Sequence, residues 1–198
     1  MKVEQFVMAY GVEQDRLRAL LPDSFTSLRP VLRINGEIRH GDRETAYLEL
    51  NTAAEGFGKR GWLNVGHWDS ETDGLTVRRE GKAVTFSLPF LTITYTGTGL
   101  EGSCPAEKDN DGCYFLTDAL TLRPPEQISA NKEYCDCAFA WSFTPEDTHG
   151  VSTGGSIPAF PTPPQITYEK RPLTPENAAA IPCEQVLGAY QVVFERGV

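Results

Sequence analysis

Apolar and polar residues alternate along most of this chain, and only two short segments switch to a helical period. Residues 12–21 place Leu17, Leu20 and Leu21 at helical spacing, and Pro22 ends the run, which predicts a first helix. Thr174-Pro175-Glu176 reads as an N-cap with proline at the first helical position, and Pro182 stops that second helix around Ala180. Runs rich in β-branched and aromatic residues at 31–38, 45–50, 61–68, 75–79, 82–95, 113–122, 133–143, 165–170 and 184–195 predict about nine strands. Glu80-Gly81 is the expected two-residue turn between the fourth and fifth of them. In the fifth, Val84, Phe86 and Leu88 share one face and Thr85 and Ser87 the other, until Pro89 forces a bend or a sheet edge. The sum is a mostly β (α+β) protein, an antiparallel sheet expected to close or nearly close on itself, with two short helices.

Residues 144–164 break the pattern. Thr153-Gly154-Gly155-Ser156 and the prolines 158, 161, 163 and 164 predict a long connection with little regular structure, a kind of segment that is commonly functional or mobile. Strand patterns resume on both sides and no internal repeat is visible, so residues 1–198 are expected to form a single domain.

Composition narrows the function classes without naming one. At 198 residues and 40% hydrophobic, the chain can build a real core. Its net charge of −9 argues against nucleic acid and against anionic membrane surfaces, both of which select a basic face. No run approaches the roughly 18 apolar residues of a membrane helix, and Met1-Lys2-Val3-Glu4-Gln5 lacks the features of a signal peptide. Five cysteines are an odd number for a disulfide framework. Cys135 and Cys137 would point the same way on a strand, but Cys104 and Cys113, nine apart, do not complete a zinc motif. Free thiols and a cytoplasmic location are the expectation.

Candidate chemistry is sparse. His40, His67 and His149 sit in no metal or triad spacing, and no nucleophile elbow or phosphate-binding loop is present. Lysine is scarce, with six against twelve arginines. In Gly56-Phe57-Gly58-Lys59-Arg60-Gly61-Trp62, the neighbouring cation would penalise the ammonium form of Lys59 and favour a nucleophilic amine, more so in an apolar pocket.

Several stretches resemble one family. Residues 12–25, reading Val-Glu-Gln-Asp-Arg-Leu-Arg-Ala-Leu-Leu-Pro-Asp-Ser-Phe, resemble the early helix and Leu-Pro turn of the acetoacetate decarboxylase-like superfamily. Arg29-Pro30-Val31-Leu32-Arg33-Ile34 is similar to its next strand. Tyr47-Leu48-Glu49 resembles its Tyr-x-Glu, whose glutamate points into the cavity. Pro172-Leu173, Ile181-Pro182 and the strand to Arg196 resemble its C-terminal helix and strand. The resemblance implies cone-like antiparallel β-barrels around a central cavity. It also implies an imine between a lysine and a β-keto acid, with the imine accepting the electrons released as CO2 leaves. No metal or organic cofactor is implied, the partner is a small keto acid, and family members often form symmetric homo-oligomers.

Two alignments of the middle of the chain remain open. In one, Lys59-Arg60 is the nearest match to the decarboxylases' adjacent Lys-Lys pair, with the second cation changed to arginine; that pair follows a helix with a Gly-Arg-Glu signature. In the other, residues 58–68 are an earlier strand, the lysine-bearing helix is deleted, and Lys59 is structural unless Lys82 takes its role. The decarboxylases' N-terminal extension with its substrate-binding arginine has no counterpart, which leaves Arg33 as the candidate substitute. The first reading is therefore a lysine-dependent lyase, with Lys59 as nucleophile, Arg60 lowering its pKa, Glu49 orienting substrate or relaying a proton, and Arg33 binding it. The alternative is a small-molecule-binding member that has lost the lysine, and a third is a scaffold acting through residues 144–164. Glu37 is a further carboxylate whose face alternation alone does not decide.

Overall fold

In the computed structural model, the structure describes residues 1–56, 59–103, 113–116, 119–122, 131–141, 148–151 and 166–196, with side chains at 1–56, 62–99 and 166–196. The strands are β1 (Lys2–Gly11), β2 (Phe25–His40), β3 (Glu44–Gly56), β4 (Lys59–Asp69), β5 (Thr76–Glu80) and β6 (Ala83–Leu88). They continue as β7 (Leu91–Ser103), β8 (Cys113–Leu116), β9 (Ala119–Leu122), β10 (Asn131–Trp141), β11 (Thr148–Val151) and β12 (Gln185–Glu195). The helices are α1 (Gln14–Leu20) and α2 (Pro175–Ala179).

Both helices lie where their stop and start signals put them. Thr174 caps α2 by accepting the Asn177 N–H, with Pro175 at the first turn. Val84, Phe86 and Leu88 are buried along β6, as their alternation predicts. Five local expectations shift. Residues 166–170, expected as a strand, form none, and the expected strand 113–122 is described as two, β8 and β9. The turn after β5 is Gly81-Lys82, one residue later than expected, because Glu80 still pairs with Ala83 and Gly81 takes the positive φ of 60°. Pro89 does more than bend a strand: with Phe90 it forms the turn that splits 82–95 into β6 and β7, paired at Leu88 and Leu91. Inside the expected irregular segment, Thr148–Val151 forms β11 against β10, while residues 152–165 lie outside the described residues.

One sheet joins the strands in the order β5-β6-β7-β10-β12-β1-β2-β3-β4-β8-β9, with β11 attached to β10. All pairings are antiparallel except β4 with β8. Among the described residues this path has two ends, β5 and β9, so the expected closed barrel is not found.

The sheet wraps so that one face of β1–β3 packs on β6 and β7. Phe6, Met8 and Tyr10, Leu32, Ile34 and Ile38, and Leu48 and Leu50 share this core with Phe86, Ile93 and Tyr95. Phe6 meets Phe86 edge-on at 5.5 Å and Tyr95 at 5.4 Å between ring centres. Gly36 sits where the Phe86 ring reaches β2; a Cβ there would lie 2.9 Å from Cζ. The opposite face of the same strands carries the site.

Candidate functional site

Directly paired residues of neighbouring strands lie on one face, so the register reads out the second face of β1–β4 row by row. One row runs Gln5, Glu37, Tyr47, Asp69; the next runs Val7, Asn35, Glu49, His67. Ala9, Arg33 and Asn51 follow, with Asn64 beyond Asn51. This face is polar and yet largely out of solvent: Gln5, Arg33, Asn35, Glu37, Glu49 and Asn51 are each at most 6% exposed. Groups of this kind are rarely fully buried, because desolvating them is costly without partners.

The two carboxylates are partnered differently. Glu37 is clamped by cations: Arg196 donates from Nη2 to Oε1 at 2.7 Å and from Nη1 to Oε2 at 3.0 Å, and Arg39 donates from Nε to Oε2 at 2.9 Å. Burial would raise this carboxyl, but the hydrogen bonds and charge of Arg196, then those of Arg39, outweigh it and hold the pKa below the usual value. Glu49 accepts from Asn35 Nδ2 on Oε1 at 2.9 Å and from Tyr47 OH on Oε2 at 3.0 Å, and its charge also acts on Arg196. The Tyr47 phenol is pushed well above its ordinary value by burial, then by the charge and hydrogen bond of Glu49, so it stays a donor. Arg39 lies 4.5 Å over the Tyr47 ring and links the two carboxylates.

Farther along the face Arg33 is stacked on Trp62, its Cζ 5.0 Å from the ring centre. Asn64 Nδ2 donates to Asn51 Oδ1 at 2.9 Å, and Asn64 Oδ1 lies 3.1 Å from His67 Nδ1. With its amide so oriented, Asn64 accepts from a protonated His67 Nδ1. His67 is exposed and stacked with Tyr47, with 6.2 Å between ring centres, which marks the solvent side of the site. The arrangement offers a buried cation, a buried carboxylate with fixed donors, and amide groups to a small polar ligand.

Glu49 and Arg33 thus share one buried face, and Glu37, whose face alternation left open, lies there too. Lys59 and Arg60 begin β4, so this stretch is a strand paired with β3. Their register pairs Lys59 with Gly56 and Arg60 with Glu55; the side chains at 59–61 are outside the described ones. Gly56 abuts Phe25 on the apolar side, whereas Glu55 has the parity of Glu49. Lys82 is exposed at its turn, Lys2 is exposed, and exposed Lys170 pairs with Asp23 at 3.2 Å. Lys132, a position the sequence reading passed over, pairs with Val192 and so extends the row of Gln5 and Glu37 onto β10. Cys135 and Cys137 lie on β10, while Cys104 is outside the described residues.

Asn35, Arg39, Asn51, Asn64 and Arg196 were not singled out by the sequence. The available signal was Arg33-Ile34-Asn35-Gly36-Glu37-Ile38-Arg39, polar at every second position inside an apolar strand. A separate groove of about 340 Å³, lined by Arg16, Leu20, Tyr168, Arg171, Asn177 and Ile181, holds none of the expected site residues. No helix among the described residues is long and apolar enough to cross a membrane.

No family model matches the chain, and no curated protein does. Solved structures do. Acetoacetate decarboxylase from Legionella pneumophila superposes with a TM-score of 0.55 at 13% identity, over 98% of this chain and 81% of that one. Another acetoacetate decarboxylase structure gives 0.53 at 13% identity, over 97% and 82%. The enduracididine biosynthesis enzyme MppR complexed with pyruvate gives 0.55 at 9% identity, over 98% and 84%. At such identities the likeness concerns architecture, and on that ground the chain has an acetoacetate decarboxylase-like fold.

Proposed function

We propose that the polar face of β1–β4 is a binding site for a small organic acid of the keto-acid class. The observation that carries this reading is the burial of Arg33, Asn35 and Glu49 side by side on a sheet whose other face already supplies the core. In this role Arg33 receives the ligand carboxylate, with Trp62 holding the guanidinium in place. Glu49, fixed by Asn35 and Tyr47, orients the rest of the ligand. A fold shared with enzymes that include a pyruvate complex supports the ligand class.

The lyase reading rests on the decarboxylase neighbours and on Lys59-Arg60 opening the strand beside Glu49. There the Lys59 amine attacks the keto carbon, water leaves, and the imine takes up the electrons released with CO2. Arg60 lowers the amine's pKa and Glu49 moves a proton. Borohydride trapping with a keto-acid panel, mapped by mass spectrometry, separates the two. An adduct at Lys59 that disappears in Lys59→Ala establishes the lyase. Calorimetric binding without any adduct establishes the binding protein, and an adduct at Lys82 or Lys132 relocates the amine. Partnership with a small molecule is common to both readings, while a cytoplasmic, homo-oligomeric protein is a further expectation that size-exclusion chromatography with light scattering addresses for assembly.

A further inference from the structure

One buried acceptor on the polar face has no hydrogen-bond partner among the described residues. Glu49 accepts from Asn35 Nδ2, which fixes the amide with its NH2 toward the carboxylate and its oxygen turned away. That oxygen, Asn35 Oδ1, is buried and meets no hydrogen-bond partner among the described residues, although Asn35 is only 1% exposed. Buried carbonyl oxygens of side-chain amides are normally satisfied, so an orphan on a face already rich in donors and acceptors calls for an explanation. Flipping the amide is no remedy, because it would set an oxygen against the Glu49 carboxylate.

Two residues earlier on the same face of β2 stands Arg33, about 7 Å away along the strand. A ligand whose carboxylate meets Arg33 therefore passes Asn35 with its neighbouring atoms. A carbonyl or a methyl group placed there leaves Oδ1 unsatisfied; a hydroxyl or amino group satisfies it. We propose that the acid bound here carries a hydroxyl or amino donor close to its carboxylate, and that Asn35 Oδ1 is the residue that selects it. This inference rests on the reading of the polar face as a keto-acid site, and it narrows that class to keto acids that also carry a donor of their own, such as 3-hydroxypyruvate. The simpler acids below probe the donor alone.

Matched acids that differ by one hydroxyl test it on the full chain by calorimetry: acetate with glycolate, propionate with lactate, and pyruvate with 3-hydroxypyruvate. The expected result is that the hydroxylated member of at least one pair binds about tenfold tighter or more, since a site built to bond a hydroxyl rejects the analogue lacking it. In Asn35→Leu, and in Asn35→Ser should the leucine variant not fold, the ratio falls to about one. Equal affinities within every pair overturn the inference while leaving the organic-acid site standing. A preference that persists unchanged in the folded variant overturns the assignment to Asn35. Absence of binding by any of the six acids, or by the corresponding amino acids, overturns the site reading itself.

Discussion

The two faces of β1–β3 are made by the same strands and obey opposite rules. On one, Phe6, Ile34 and Leu48 interdigitate with Phe86 and Tyr95, and burial stabilises the fold by removing apolar surface from water. On the other, Arg33, Asn35, Glu37 and Glu49 are as deeply buried but must first repay their desolvation. Within that polar face the repayment is uneven. Glu37 is held by three N–H groups from two arginines, as a structural ion cluster would be, whereas Glu49 accepts from Asn35 and Tyr47 and stands beside an amide oxygen that has no hydrogen-bond partner among the described residues. In the proposed binding role the ligand end of the face lies around Glu49 and Asn35, and the Glu37 end serves the architecture.

Breaking the apolar face has the largest expected effect. Phe86→Ala removes the ring that both Phe6 and Tyr95 contact and is expected to cost about 3–5 kcal/mol in a urea titration. Glu37→Gln comes next, at about 2 kcal/mol, less than a fully buried pair because Arg39 and Arg196 are partly exposed. Its signature is pH dependence. The folded-state pKa is depressed, so the stabilisation is complete well above the ordinary value of 4.5 and is lost as pH falls through the folded-state value. The gap between the native chain and Glu37→Gln should therefore narrow below about pH 4.5, and a constant gap would assign the loss to packing alone. Gly36→Ala should cost about 1–3 kcal/mol, because the new methyl meets the Phe86 ring and not open space.

The smallest expected change in stability sharpens the comparison most. Replacing Asn35, Tyr47 and Glu49 together, as Asn35→Leu, Tyr47→Phe and Glu49→Met, exchanges the hydrogen-bonded group for apolar side chains of similar size. Such replacements are often neutral or stabilising, so stability should stay within about 1 kcal/mol of the native chain or rise, while ligand binding is lost. A loss comparable to Phe86→Ala would return this group to the structural column.

Much of this contrast was written in the sequence, but not which side of each strand would be the inner one. The Leu20-Leu21-Pro22 stop and the Thr174-Pro175 start are local signals, and both helices follow them. The alternation of Val84, Phe86 and Leu88 marked a buried face correctly because Thr85 and Ser87 remain half exposed. In β2 the same rule has nothing to choose between, since both Ile34 and Asn35 are buried. Glu49 and Arg33 were found through resemblance. The amides and Arg196 reach the face through pairings between distant segments: β12 meets β1, and Arg196 lies 159 residues from Glu37. The split at Pro89 and the one-residue shift at Gly81 are turn geometry, decided by which residue the strand pairing leaves free to take a positive φ. Whether the sheet closes is equally non-local, and the two-ended path found here is beyond the reach of alternation.

Calorimetric titration of the native chain and Arg33→Leu with the hydroxylated and keto acids above tests the central claim most directly. The account predicts a one-to-one complex with the native chain and at least about tenfold weaker binding to a folded Arg33→Leu, because the ligand carboxylate loses its charge partner in a buried setting. Equal binding by both proteins, or none by the native chain, would contradict a carboxylate site on the polar face.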